Sequence, residues 1–307
     1  MTYDFDLIII GAGAAGMTAS IYASRYKVKN IVIGDVVGGT TTEAHTIDNW
    51  PGEPGISGFE LMNKMAAHVK SLGADIMPDY VIEVKSHQQG FGVKTKNGKE
   101  LTSKKLLFTS GTKHRHLGLS RESELLGKGV GYCPTCDGLF YQSKIVAVIG
   151  GGNSAISAAF YLSDIAQKVY VIYRASKLKG EPLWREELAK RQNVVLLAET
   201  KVVDLVGQEK LEGLELDKPY NNSKVLPVDG LFVEIGLVPQ TDLFKTLGGE
   251  VNDLGYAIVK ADMSTNVPGV YVAGDSTTAS NNFHQIVTAC GEGAIAAEAV
   301  YKSLSLN

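Results

Sequence analysis

Short β-branched runs that end in glycine, each followed by a small-residue stretch at helical spacing, recur along this chain. The first is Leu7 to Ile10, followed by Gly11, Gly13 and Gly16 and an alanine-rich segment, which predicts strand, glycine turn and helix. The same order returns at Ile145–Ile149, where Gly150, Gly152 and Ala155 open a second helical stretch and a further strand ends near Tyr173. Between the copies, Leu106–Thr109 reads as a strand that closes the first unit, and a boundary falls near Lys113. After the second copy, another apolar strand runs into a Gly/Pro break at Gly236–Pro239. A last strand at Gly269–Ala273 and a helix from about His284 to Leu304 are too little for a third domain, so the tail is expected to return and complete the first, with simple tandem order and an unpaired tail as the alternative. The expectation is an α/β protein with residues 1–113 and 241–307 in one domain and residues 114–240 inserted as another.

The turns carry chemistry as well as shape. A G-x-G-x-x-G turn lets the backbone bend tightly, approach a pyrophosphate and bring the helix against the strand, while the helix N-terminus offers free N–H groups to phosphate. Asp35 stands nineteen residues after Gly16, at the end of the next strand, where a carboxylate accepts hydrogen bonds from a ribose diol. The second turn is G-x-G-x-x-A, and nineteen residues after Ala155 comes Arg174, with Lys177 and Lys179 nearby. A carboxylate suits a free ribose hydroxyl, whereas a guanidinium suits a 2′-phosphate. The opposite charges predict two different dinucleotides, FAD at the first turn and NADP(H) at the second. The plainer alternative for the basic residues is a solvated loop.

Composition narrows the class. With 307 residues, 44% hydrophobic and 21% charged, the chain has the make-up of a two-domain globular protein. A net charge of −3 gives no footprint for nucleic acid. No apolar run reaches the roughly 18–20 residues that span a bilayer, and the opening MTYDFD lacks the layout of a secretory signal. The expected location is the cytoplasm, and three cysteines do not make a disulfide framework.

Two of those cysteines, Cys133 and Cys136, lie in GYCPTCDG, just before the second glycine turn. They can be half of a zinc site, a redox-active pair, or packed thiols. Zinc needs four ligands, and the nearest additional candidates, His114 and His116, have an unusual spacing for it. The redox reading explains more: a flavin turns a hydride into electrons for a disulfide, and the dithiol then reduces a partner's disulfide through a mixed disulfide. Asp137 beside the pair is the candidate acid/base, with a turn cap as its plainer role. Cys290 stands among small residues and reads as a packed helix position.

The stretches GAGAAG, GGTTTEAHTIDNWPG, TSG, CPTCDG, GGGNSA, EIGLVPQT and PGVYVAGD occur in one order along nearly the whole chain. In this it resembles the low-molecular-weight thioredoxin reductases. The resemblance implies two Rossmann-like, three-layer ββα dinucleotide-binding domains, a homodimer, a thioredoxin or thioredoxin-like substrate, and an inserted domain that swings between two orientations. It further implies that Cys136 faces the flavin and Cys133 attacks the partner. For FAD it points to Gly11, Gly13, Ala14, Ala15, Gly16, Asp35, Gly39, Asn49, Gly111, Gly274, Asp275, His284, Gln285 and Ile286. For NADPH it points to Gly150, Gly152, Asn153, Ser154, Ala155, Arg174 and Lys179. No metal is implied. The chain departs from the family where His-Arg-Arg and a later Arg are expected, having Tyr173-Arg174-Ala175 and Lys179 instead. It departs again at Thr40 in place of Gln and at His284-Gln285 in place of Arg-Gln. NADPH is therefore the expected donor, with NADH or a non-pyridine donor such as ferredoxin as alternatives, and a flavin-linked redox sensor as the non-enzymatic one.

Overall fold

The computed structural model describes residues 3–44, 46–87 and 89–305. His45, within the GGTTTEAHTIDNWPG stretch, lies outside them. The chain divides into two compact units, Met1–Lys113 with Pro239–Asn307, and His114–Val238.

In the first unit the apolar run becomes β1 (Phe5–Ile10), and α1 (Ala14–Arg25) follows across the glycine turn. Next come β2 (Asn30–Ile33), α2 (Gly58–Ser71), β3 (Asp75–Met77), β4 (Val81–His87), β5 (Gly90–Thr95) and β6 (Glu100–Phe108). Helix α2 starts at Ser57, whose hydroxyl accepts the Glu60 N–H at 3.2 Å, as Ser-x-x-Glu before an apolar run predicts. Strand β6 begins well before the expected Leu106, because its N-terminal half is an antiparallel partner of β5 while it also runs parallel to β1.

The chain crosses to the second unit through β7 (Thr112–His114), then forms α3 (Glu122–Leu125), β8 (Val130–Gly131) and α4 (Pro134–Asp137). The second strand–turn–helix copy is β9 (Ile145–Ile149) and α5 (Asn153–Ser163), followed by β10 (Lys168–Ile172), α6 (Pro182–Ala189) and β11 (Val194–Leu197). Three antiparallel strands, β12 (Val202–Val206), β13 (Gly213–Tyr220) and β14 (Ser223–Pro227), precede β15 (Gly230–Val233). The chain leaves through β16 (Leu237–Pro239), which pairs with β7. It then adds α7 (Asp242–Thr246), β17 (Val270–Val272) and α8 (Ile286–Ser305) to the first unit.

The sheet orders are β3-β2-β1-β6-β5-β4 with β17 on β6 in the first unit, and β11-β10-β9-β15-β8 in the second. Side-chain alternation then makes both units three-layered. Leu7 and Ile9 pack with Ala19 and Ala23 of α1 and Ala296, Ala297 and Val300 of α8. Ile8 and Ile10 face Val84, Phe91 and Val93 on the other side. In the second unit Val146 and Val148 meet α5 through Ala155, Ile156, Ala159 and Leu162, whereas Ala147 and Ile149 meet Leu205, Leu214, Leu216 and Leu226 of the antiparallel sheet. The expected fold class, two Rossmann-like ββα units, is what forms.

The tail helix sits as close to α1 as two backbones allow. A Cβ on Gly293 of α8 would fall on the Ala15 carbonyl, so only glycine fits the crossing. On another face of the same helix, a Cβ on Gly291 would meet nothing within 4 Å. Gly293→Val is expected to lower stability by about 2–3 kcal/mol through overpacking. Gly291→Ala is expected to raise it by up to ~1 kcal/mol through helix propensity. Urea unfolding of both variants checks the pair, and equal effects would contradict the assigned crossing.

Candidate functional site

The first glycine turn is built by close approach. Gly11 has φ 120°, and a Cβ there or on Gly16 would collide with backbone or side-chain atoms of the Gly11–Thr109 contact. Thr109 Oγ1 donates to the Gly11 carbonyl at 2.8 Å and so fastens the turn to the end of β6. Gly13 caps α1 with no side-chain hydrogen bond, so no cap side chain takes up the first N–H groups of the helix, and a Cβ on Gly13 would meet nothing within 4 Å. Gly39, with φ 56°, comes against that opening, 3.3 Å from Gly13 Cα measured from an ideal Cβ. Asp35 follows β2 and is exposed, its Oδ1 accepting the Val36 N–H. Gly111, with φ 60°, follows β6 in the turn toward β7.

The tail brings the second half of this site. Gly274, with φ 85°, turns the chain after β17, and its N–H donates to Glu292 Oε2 at 2.8 Å. Thr277 and Ser280 donate to the same carboxylate at 2.9 and 2.6 Å, so a buried Glu292 on α8 ties down the whole Gly274–Ser280 loop. Burial pushes the Asp275 carboxyl above its ordinary range; His284 pulls the other way and Glu292 adds to the rise. His284 lies beside the Tyr256 ring, and its Nε2 is buried without a hydrogen-bond partner. Asn49 Nδ2 donates to Gln285 Oε1 at 2.9 Å, joining the DNWPG stretch to the start of α8 at Ile286. Helix α8 opens two residues later than expected from the sequence, because Thr288 Oγ1 bonds the Phe283 and Gln285 carbonyls before it. Cys290 packs against α1; burial pushes its thiol up against a hydrogen bond with Thr18. Glu292 has no signature in the sequence: an acid in CGEGAIAA looks like a solvated helix position.

The second turn repeats the first. Gly150, with φ 148°, packs against the Glu234 carbonyl, and Gly152 caps α5 with open space above it. Ala155 is fully buried beneath the turn, and Ser154 on the first turn of α5 is exposed. The basic loop folds back onto this turn. Lys179 N–H donates to the Gly151 carbonyl at 2.7 Å, and Glu181 N–H donates to Asn153 Oδ1 at 2.7 Å. Arg174, Lys177 and Lys179 keep their side chains exposed. The Asn153–Glu181 tie was not visible in the sequence.

Cys133 and Cys136 are disulfide-bonded, with Cα atoms 5.3 Å apart across α4. Cys133 is the N-cap, its Sγ accepting the Cys136 N–H at 3.2 Å; it is half-buried, whereas Cys136 is exposed. Asp137 Oδ2 lies against Gly131, and its charge helps burial to raise the Tyr141 phenol. Just beyond, Leu139 and Phe140 are 69% and 74% exposed, an apolar surface beside the disulfide. His116, offered above as a zinc ligand, instead places Nδ1 2.6 Å from the Tyr132 hydroxyl. Among the described residues, no group of three or more His, Cys, Asp or Glu converges as a metal site, and no helix is long and apolar enough to cross a membrane.

Both glycine turns fit a dinucleotide: each pairs an uncapped helix N-terminus with open space over the capping glycine, and the first adds an orphaned ring nitrogen at His284. Comparison with known proteins agrees. The family model described as pyridine nucleotide-disulphide oxidoreductase matches residues 5–293. A thioredoxin reductase of Listeria monocytogenes is 36% identical over 97% of this chain and 93% of its own length. One from Coxiella burnetii is 38% identical over 95% and 94%. The crystal structure of Lactococcus lactis thioredoxin reductase superposes with a TM-score of 0.93 at 31% identity, covering 99% of this chain and 100% of that one. That of T. acidophilum gives 0.91 at 37%, covering both chains fully. The family implies a flavin, FAD, together with a pyridine nucleotide. With its two glycine turns, its disulfide and these relatives, the chain belongs to the pyridine nucleotide-disulphide oxidoreductases, in their thioredoxin reductase branch.

Proposed function

We propose that this protein is an FAD-dependent thioredoxin reductase that takes electrons from NADPH and delivers them to thioredoxin or a thioredoxin-like protein. The observation that carries the reading is the Cys133–Cys136 disulfide on α4, just ahead of the second dinucleotide turn. Bound FAD would supply the conversion of a hydride into two electrons for a disulfide. Gly11, Gly13, Ala14, Ala15 and Gly16 hold its pyrophosphate, Asp35 its adenosine ribose, and Gly39, Gly111, Gly274 and Asp275 line its length. Asn49, His284, Gln285 and Ile286 stand at the ring end, where the start of α8 places a positive dipole. Gly150, Gly152, Asn153, Ser154 and Ala155 seat the second pyrophosphate, and Arg174 with Lys179 receives the 2′-phosphate.

In the reduced enzyme the Cys133 thiolate attacks one sulfur of the partner's disulfide, and the partner's other sulfur leaves as thiolate. Cys136 then attacks Cys133, re-forming their bond and releasing the second partner thiolate. Two electrons pass to the partner, and Asp137 handles the thiol protons. Cys133 suits the attacking role because an N-cap sulfur with an N–H donor is a stabilised anion. Leu139 and Phe140 offer the partner an apolar seat. Cytoplasmic location and a homodimer belong to the same reading.

Anaerobic stopped-flow tests the donor. NADPH is expected to bleach the flavin, NADH to do so at least tenfold less efficiently, and Arg174→Ala to weaken NADPH selectively by about tenfold. Bleaching by a low-potential electron carrier and by neither nucleotide would overturn the NADPH assignment.

Asp275 gives a second test with a definite sign. A carboxyl whose folded pKa is raised above its unfolded value, about 3.9, costs nothing when both states are protonated. It costs increasingly as pH rises through that window, and the loss persists above it. Asp275→Asn is therefore expected to raise the urea midpoint of flavin-free protein at pH 7, with the gain vanishing below about pH 4, while weakening FAD about tenfold. A parallel fall in stability and in FAD affinity would show a purely structural aspartate.

A further inference from the structure

Tyr132 immediately precedes Cys133, and its side chain runs to a buried carboxylate on a different element. The phenol donates to Glu122 Oε1 and stands 2.6 Å from His116 Nδ1. Glu122 is buried on α3 and also accepts the N–H groups of Leu117 and Gly118, at 2.8 and 2.9 Å. Burial works to raise this carboxyl, but the hydrogen bonds of Tyr132, Leu117 and Gly118 and the charge of His116 outweigh it and hold it below its ordinary value. Burial and the same carboxylate push Tyr132 far up, so the phenol keeps its proton. A phenol has one proton, and here the carboxylate takes it. Nδ1 of His116 must therefore be the donor to the phenol oxygen, whether the ring is neutral or charged. The result is a one-way chain of donors, from imidazole to phenol to carboxylate.

This chain has a bearing on the redox turn. Strand β8 is paired to β15 up to Gly131, and α4 begins after Cys133. Tyr132 is the one residue between the last sheet pairing and the N-cap. In the oxidised protein the Cys133–Cys136 bond itself closes the turn. In this disulfide form the Cys133 sulfur also accepts the Cys136 N–H and lies 3.4 Å from Thr135 Oγ1; when the bond opens, those donors and the anchored residue before it are what is left to hold the sulfur.

We infer that Tyr132, clamped by Glu122 and His116, is a positioning residue that keeps the reduced Cys133 sulfur at the N-cap of α4, where it retains its donors as a thiolate. The inference rests on the reading of Cys133 as the attacking thiol.

The test uses flavin-loaded Cys136→Ser enzyme at pH 7 and the probe 5,5′-dithiobis(2-nitrobenzoate). The Cys133 thiolate attacks one sulfur of the probe, a mixed disulfide forms, and one thionitrobenzoate leaves per chain; Cys133→Ser/Cys136→Ser enzyme sets the Cys290 background. Adding Tyr132→Phe is expected to slow the reaction about tenfold, the scale of losing a hydrogen bond to a charged group. Adding His116→Ala should slow it by about threefold, for loss of the Nδ1–H donor to the phenol. His116→Asn, whose amide N–H can replace Nδ1–H, should return it to within about twofold of the parent. His116 has an exposed side chain, so this pair stays informative even where Tyr132→Phe folds poorly. Rates within about twofold of the parent in both Tyr132→Phe and His116→Ala, whatever the change in melting temperature, would overturn the inference. Reaction of Cys133→Ser enzyme but not of Cys136→Ser enzyme would instead show that the attacking thiol is misassigned, removing its basis.

Discussion

Two carbonyl groups set the terms for this structure. The Thr109 carbonyl at the end of β6 and the Glu234 carbonyl just past β15 each occupy the place where a side chain on Gly11 or Gly150 would stand. Because no side chain is there, each central strand can stop against its neighbour and turn at once into a helix. The helix N-terminus then faces the carboxyl edge of the sheet, the one region of an open α/β layer where backbone donors are left unpaired. The tail helix α8 closes over the first of the two strand ends, and the basic loop after β10 folds onto the second.

The two ends are used differently because the next strand in each unit ends on a different charge. Past the first stands an exposed carboxylate, Asp35; past the second stands an exposed guanidinium, Arg174. The scaffold is repeated and the charge at the end of the next strand is inverted, the contrast on which the proposed assignment of two different dinucleotides rests. The disulfide belongs to the second copy. Its turn is fastened to the sheet through β8 on one side and to a buried carboxylate through Tyr132. The disulfide is thus flanked by a residue anchored independently of the S–S bond.

Buried carboxylates recur as fasteners. Glu292 gathers Gly274, Thr277 and Ser280; Glu122 gathers Leu117, Gly118 and Tyr132. Each accepts three hydrogen bonds from backbone and hydroxyl donors, which is how a buried anion is tolerated, and Glu122 has the His116 ring beside it as well. Asp275 lies near one of these fasteners and is destabilised as an anion by it, a local conflict of the kind that sites for bound groups retain.

The strands β1, β9 and β10, the two glycine turns, the inverted charges and the cysteine pair were all legible in the sequence. Each is a local pattern: a β-branched run must be extended, a glycine at positive φ must turn, and two residues apart by three can share one helical turn. The far beginning of β6, the late start of α8, the Asn153–Glu181 tie and the acids Glu122 and Glu292 were not legible. Their roles depend on partners that the fold brings from other elements, and an isolated acid in a sequence looks the same whether water or backbone solvates it. The sequence alone therefore determined the scaffold and the identity of the reacting groups, since those follow from sterics and side-chain chemistry. Only the tertiary structure decided what holds them in place, because a hydrogen bond between distant segments exists only after the chain has folded around it.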